Sequence, residues 1–177
     1  IKPEDIIWVP DAAIDDEPQN PGWATLLDLT EQPDTNLPET SDIMLKDLAY
    51  YIFTSGTTGL PKASLISHDR HLRMSLGFAS VLLDMKERDC IYACLPLYHS
   101  SGMFICFGSI THSGGSMFLR RKFSASNLLK EARLHNTNCF AYIGELCRYM
   151  LHQPIKPDDA DNPIKKCVGN GLRPDIW

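Results

Sequence analysis

From Leu48 onward, short runs of β-branched and aromatic residues alternate with stretches whose apolar residues recur at helical spacing. LAYYIFT (48–54) and ASLIS (63–67) read as strands. Between His68 and Leu83 the apolar positions Leu72, Leu76, Phe78, Ala79, Leu82 and Leu83 predict a helix. The charged break KERD ends it, and CIYACLPLY (90–98) follows as a strand stopped at Pro96. Gly102 to Ile110 is almost wholly apolar and predicts a buried helix; SMFLR (116–120) is a strand. FSASNLLKEARLHN (123–136) is a helix with readable ends, Ser124 capping it and Phe123 stapled on Leu128. NCFAYIG is a strand, ELCRYMLH a helix, PIKPDDADNP a loop and IKKCVGNG (164–171) the last strand. Strands alternating with helices predict an α/β fold with a mostly parallel sheet flanked by helices.

Residues 1–47 lack this rhythm. Six of the 12 prolines precede Asp42, mixed with acids and asparagines, and predict extended chain with one short helix near Trp23 to Leu29. The chain therefore divides into an acidic, Pro-rich, irregular segment (1–47) and a globular part (48–177). Its opening, IKPEDIIWVPD, reads as cut from something longer.

Charge sharpens that division. The first 47 residues hold 12 acids and 2 bases, so the remainder is mildly basic within a chain of net charge −5. That balance suits an anionic ligand and is too dispersed for nucleic acid. No apolar run reaches the ~18 residues of a membrane span, and no signal-like segment opens the chain. The six cysteines form no C-x-x-C pair and mostly lie in apolar runs, as buried free thiols do. His68 and His71 share a helix face, but no carboxylate or cysteine completes a metal site nearby, so they read as surface histidines.

One stretch invites chemistry. YIFTSGTTGLPKAS (51–64) packs hydroxyls and glycines ahead of one lysine. A surface turn, a flexible linker and a phosphate cradle all use such residues. Walker and dinucleotide patterns are excluded, because Pro61 precedes Lys62, Ala63 follows it, and no G-x-G-x-x-G occurs.

TSGTTGLPK (54–62) resembles the phosphate-binding motif of the adenylate-forming, AMP-binding superfamily. Ala63 departs from the glycine usual after the lysine, and resembles one branch. LPLYHSSGM, RRKFSAS, YIGELCRYML and GNGLRPDIW resemble, in order, the fatty acid transport proteins, or very-long-chain acyl-CoA synthetases. The resemblance implies a ligase that joins a long- or very-long-chain fatty acid to coenzyme A through acyl-AMP, using ATP and Mg²⁺. It assigns Tyr51, Thr54, Ser55, Gly56, Thr57, Thr58, Gly59 and Lys62 to the phosphates of ATP, Lys62 also acting in catalysis. His99, with Tyr98 beside it, falls near the acyl group and α-phosphate; a strand-end cap is its plainer reading. Gly169, Asn170, Gly171 and Leu172 fall near adenine and the acyl group, and Gly144 of YIGELCR beside an acyl tunnel.

The same resemblance implies an aromatic-Gly-x-Thr-Glu segment, a ribose-binding aspartate and a C-terminal domain with a catalytic lysine, none of which these 177 residues contain. The chain thus resembles a piece of the large N-terminal domain, expected to be inactive alone and to belong to a protein at the endoplasmic reticulum or plasma membrane. The competing expectation is a non-catalytic nucleotide- or lipid-binding module. An amino-acid or aryl adenylation domain is disfavoured by YIGELCR and GNGLRPDIW.

Overall fold

The computed structural model describes residue 2 and residues 6–9, 19–54 and 59–176. The chain divides into two compact units, Ile1–Ile43 and Met44–Trp177. In the first, β1 (Ile7–Trp8) pairs in parallel with β2 (Ala24–Thr25). Asn20 folds the approach to β2, its side-chain oxygen accepting the N–H groups of Gly22 and Trp23. The short helix α1 (Leu26–Thr30) follows, its start held by Asp28, whose carboxylate accepts the Thr25 N–H at 2.6 Å.

The second unit begins with an antiparallel hairpin, β3 (Leu48–Thr54) and β4 (Lys62–Ser67). The helix α2 (His68–Leu76) starts where the Ser67 hydroxyl accepts the Arg70 N–H. The chain then winds as a π-helix over Gly77–Leu82, so the helix expected to Leu83 changes register at Gly77, where helix propensity is lowest. Next come β5 (Cys90–Ala93), a π-helical segment (Ser101–Phe107), α3 (Gly108–Ser113), β6 (Ser116–Leu119), α4 (Leu128–His135), β7 (Cys139–Ile143), α5 (Gly144–Leu151) and β8 (Lys166–Asn170).

The four later strands form one parallel sheet in the order β6-β5-β7-β8, with Cys90 opposite Ser116, Ile91 opposite Cys139 and Cys139 opposite Lys166. The expected α/β class holds, with the first hairpin as a separate antiparallel pair. The chain leaves β5 for β6 on one side and returns past it to β7 on the other. The carboxyl end of β5 is therefore a switch point, where α/β sheets open a crevice for ligands.

Ile91, Tyr92, Leu128, Ala132, Cys139 and Ala141 are fully buried. Tyr92 is the largest of them, and its hydroxyl donates to the Glu131 carboxylate at 2.6 Å, which Arg120 also approaches at 3.1 Å. Burial and that acceptor push the Tyr92 phenol up. The Cys94, Cys106 and Cys139 thiols are buried and pushed up to about 12 by burial. All six cysteines are free.

The amino ends of β5, β7 and β8 are tied by one buried carboxylate. Asp89 accepts from Lys166 Nζ at 2.7 Å, from Asn138 Nδ2 at 2.7 Å and from the Lys86 N–H at 2.9 Å. Burial alone would raise Asp89, but these donors outweigh it and hold the carboxyl at about 2.

Two local expectations change. Ser124 does not cap α4: the helix starts at Leu128, and the Ser124 carbonyl accepts the Asn127 and Leu128 N–H groups instead, closing a turn ahead of it. Nor is His71 a surface histidine. It is half-buried, its Nδ1 hydrogen-bonded to the Tyr50 hydroxyl at 2.6 Å, with its ring against Phe104. Burial lowers its pKa, and neighbouring His68 adds to this.

Candidate nucleotide-phosphate site

The hairpin builds the first half of the site. Its strands are in register at the open end, Thr54 opposite Lys62, and the Thr54 hydroxyl donates to the Lys62 carbonyl at 3.2 Å. Ser55, Gly56, Thr57 and Thr58 lie outside the described residues. Gly59 follows them at φ 150°, a backbone conformation that L side chains rarely adopt. Lys62 is exposed and makes no ion pair among the described residues. A free ammonium at the end of a sequence rich in glycine and hydroxyl residues suits the multiple negative oxygens of a polyphosphate. Tyr51 lies on the exposed face of β3, opposite Leu65.

The opposite face of the hairpin is anchored. Ile52 and Ile66 are buried against Phe104, with Tyr50, Phe78 and Met103 packed around them. Phe104 and Met103 belong to the π-helical segment that begins just after His99. One apolar cluster therefore fixes both the phosphate hairpin and the His99 loop.

That loop leaves β5 at the switch point. The His99 N–H donates to the Pro96 carbonyl at 3.0 Å, and the His99 carbonyl accepts the Met103 N–H at 2.9 Å. Its Nδ1 accepts the Ser101 N–H at 3.3 Å, so the neutral ring carries its proton on Nε2. Gly102 closes the turn: a Cβ there would sit 2.2 Å from the Pro96 carbonyl oxygen. Tyr98 is exposed beside it.

Gly169 and Asn170 end β8, paired with Tyr142 and Ile143 of β7. Gly171 turns the chain at φ 70°, and Leu172 is half-buried. Gly144 does not stand open to a cavity. It is buried at the start of α5 against the Gly171 peptide, a contact the sequence reading missed because the two glycines belong to different motifs. The His99 loop and the Gly171 turn thus share the carboxyl edge of one parallel sheet, two strands apart. A groove of about 690 Å³ lies along α4 and α5, with Leu129, Phe140, Tyr142, Met150 and Leu172 in its wall. Among the described residues no three metal-ligating side chains come together.

A family profile described as AMP-binding enzyme matches residues 5–177. The chain belongs to the AMP-binding enzyme family. Within that family it is 45% identical over 148 residues to the medium/long-chain-fatty-acid–CoA ligase of Mycobacterium tuberculosis, covering 84% of this chain and 25% of the relative. It is 42% identical over 149 residues to long-chain fatty acid transport protein 1 of Rattus norvegicus, covering 84% of this chain and 23% of that one. Among solved structures, ATP-bound MatB from Rhodopseudomonas palustris superposes with a TM-score of 0.66 at 23% identity, covering 76% of this chain and 27% of that one. That likeness shows a shared fold. The chain spans about a quarter of the length of the curated relatives it matches.

Proposed function

We propose that this chain supplies the phosphate-binding part of an ATP-dependent, AMP-forming ligase for long-chain or very-long-chain fatty acids. One observation carries the reading: a rigidly anchored hairpin sets Thr54 beside Lys62 across the loop of a TSGTTGLPK string. In this reading a carboxylate oxygen of the fatty acid attacks the α-phosphorus of ATP. The bond to the bridging oxygen breaks, and pyrophosphate leaves acyl-AMP behind. The thiolate sulfur of coenzyme A then attacks the acyl carbon and expels AMP.

Lys62 balances the charge that builds on the departing pyrophosphate. Hydroxyls of Ser55, Thr57 and Thr58, with backbone amides at Gly56 and Gly59, donate to the phosphate oxygens, while the Thr54 hydroxyl holds the Lys62 carbonyl at the base of the loop. Mg²⁺ arriving with the nucleotide would share that negative charge. His99, with Nδ1 occupied by the Ser101 N–H, offers its Nε2–H to the incoming carboxylate. The Gly169–Leu172 turn borders the nucleotide.

The names of the relatives support a fatty acid as the acid, and the transport-protein names support a link to fatty acid uptake and a membrane-associated parent protein. Among the described residues no helix is long and apolar enough to cross a membrane. Exchange of pyrophosphate with ATP, driven by a long-chain fatty acid in the full-length protein, tests the proposal. Lys62→Ala should slow it by roughly 10²–10³-fold. Exchange near the wild-type rate would remove the assignment.

A further inference from the structure

We infer that Gly144 is a positioning residue that seats the Gly169–Leu172 turn for nucleotide binding. The inference rests on the reading above for what that turn contacts. Its geometric part stands alone. β7 passes into α5 without a connecting loop, so Gly144 is both the first residue after the strand and the first of the helix. A Cβ on Gly144 would lie 1.8 Å from the Gly171 carbonyl oxygen, 2.4 Å from its carbonyl carbon and 2.9 Å from the Leu172 nitrogen. All three are backbone atoms, so no side chain can swing aside. An ordinary contact needs at least 3.4 Å, and the turn must shift by well over an ångström to admit a methyl group.

The two glycines are not equivalent. A Cβ at Gly171 would meet only the Gly144 nitrogen, at 3.8 Å, so Gly171 is required by its φ of 70° and not by space. Gly144 is required by space alone. It fixes how closely α5 approaches the turn, and so where the Gly171 peptide and the Leu172 N–H stand at the carboxyl edge of the sheet. Gly169 extends the same close approach, since its Cβ would lie 2.1 Å from the Tyr142 carbonyl oxygen.

The test titrates MgATP into the full-length protein as wild type, Gly144→Ala and the control Gly77→Ala, whose new Cβ meets nothing within 4 Å. Backbone amide resonances of Gly144, Gly171 and Leu172 are followed throughout. Gly144→Ala should move the Gly171 and Leu172 signals before nucleotide is added and weaken MgATP by about tenfold or more, the loss of one charge-assisted hydrogen bond. Gly77→Ala should do neither. Unmoved signals, or moved signals with unchanged affinity, would overturn the inference. If Gly144→Ala does not fold, wild type decides: the Gly144 and Gly171 amides should shift with one midpoint, and a silent Gly144 overturns it. If no wild-type signal responds to MgATP, the nucleotide reading fails instead, while the Gly144→Ala signals still decide the steric claim.

Discussion

A glycine can be needed for its backbone angle, for its missing side chain, or for neither, and each case carries a different cost. Gly171 is the first kind. Gly171→Ala should destabilise by about 1–2 kcal/mol, the cost of a left-handed L-residue, read as a shift in the urea midpoint. Gly77 is the third kind. Its φ of −59° is already helical and its Cβ direction is open. Gly77→Ala should stabilise by about 0.4–1 kcal/mol, because only the unfolded chain loses freedom. His71 shows the same dependence on surroundings. Its Nδ1 lies 2.6 Å from the Tyr50 hydroxyl and its Nε2 3.5 Å from the Ser75 hydroxyl, so polar contacts bridge β3 and α2 through one ring.

Among elements, the amino edge of the sheet depends on Asp89. Its carboxyl is lowered from 3.8 to about 2, so it contributes stability above pH 4 that is lost as the pH falls through 2. The shift corresponds to about 2 kcal/mol. Asp89→Asn should flatten the acid limb of a stability–pH curve, whereas Asp89→Ala should cost about 1–3 kcal/mol by leaving the Asn138 amide and the Lys86 N–H without their acceptor, Lys166 keeping the Asp84 carbonyl. Strands and helices were legible because each keeps its own apolar period: LAYYIFT and NCFAYIG read as strands, and LLKEARLH as a helix. The Ser124 cap was misread because SAS closes a turn of its own through backbone groups. Asp89 was invisible because its partners stand 49 and 77 residues away and meet it only once the parallel register forms. At the candidate site the string TSGTTGLPK was legible as local chemistry. The Gly144–Gly171 contact was not, since it exists only between paired elements.

At the scale of the whole molecule, every residue of both apolar clusters lies at Tyr50 or beyond. The helix α1 and the 3₁₀ turn at Pro38–Asp42 bury no residue at all. Among the described residues, hydrophobic stabilisation is therefore concentrated in the second unit. A chain of residues 44–177 should melt cooperatively within a few degrees of the whole chain, as followed by calorimetry. Loss of the transition would show that the first unit carries stability its burial does not explain.

The hairpin also sets an order of events during folding. β3 meets β4 across a short loop, whereas the β5–β7 contact joins residues 48 positions apart. Closing a loop of ten or so residues takes roughly 10–100 ns and a hairpin about 1–10 μs, while long-range parallel pairing is slower by orders of magnitude. Lys62 therefore finds its place opposite Thr54 early. An isolated two-stranded hairpin is only marginally stable in water, and Ile52 and Ile66 stay wet until Phe104 arrives with the segment after β5. Pulsed hydrogen exchange should find the hairpin amides weakly protected at first. They should gain full protection together with those of β5, so that a hairpin sketched in microseconds becomes rigid only when the sheet closes.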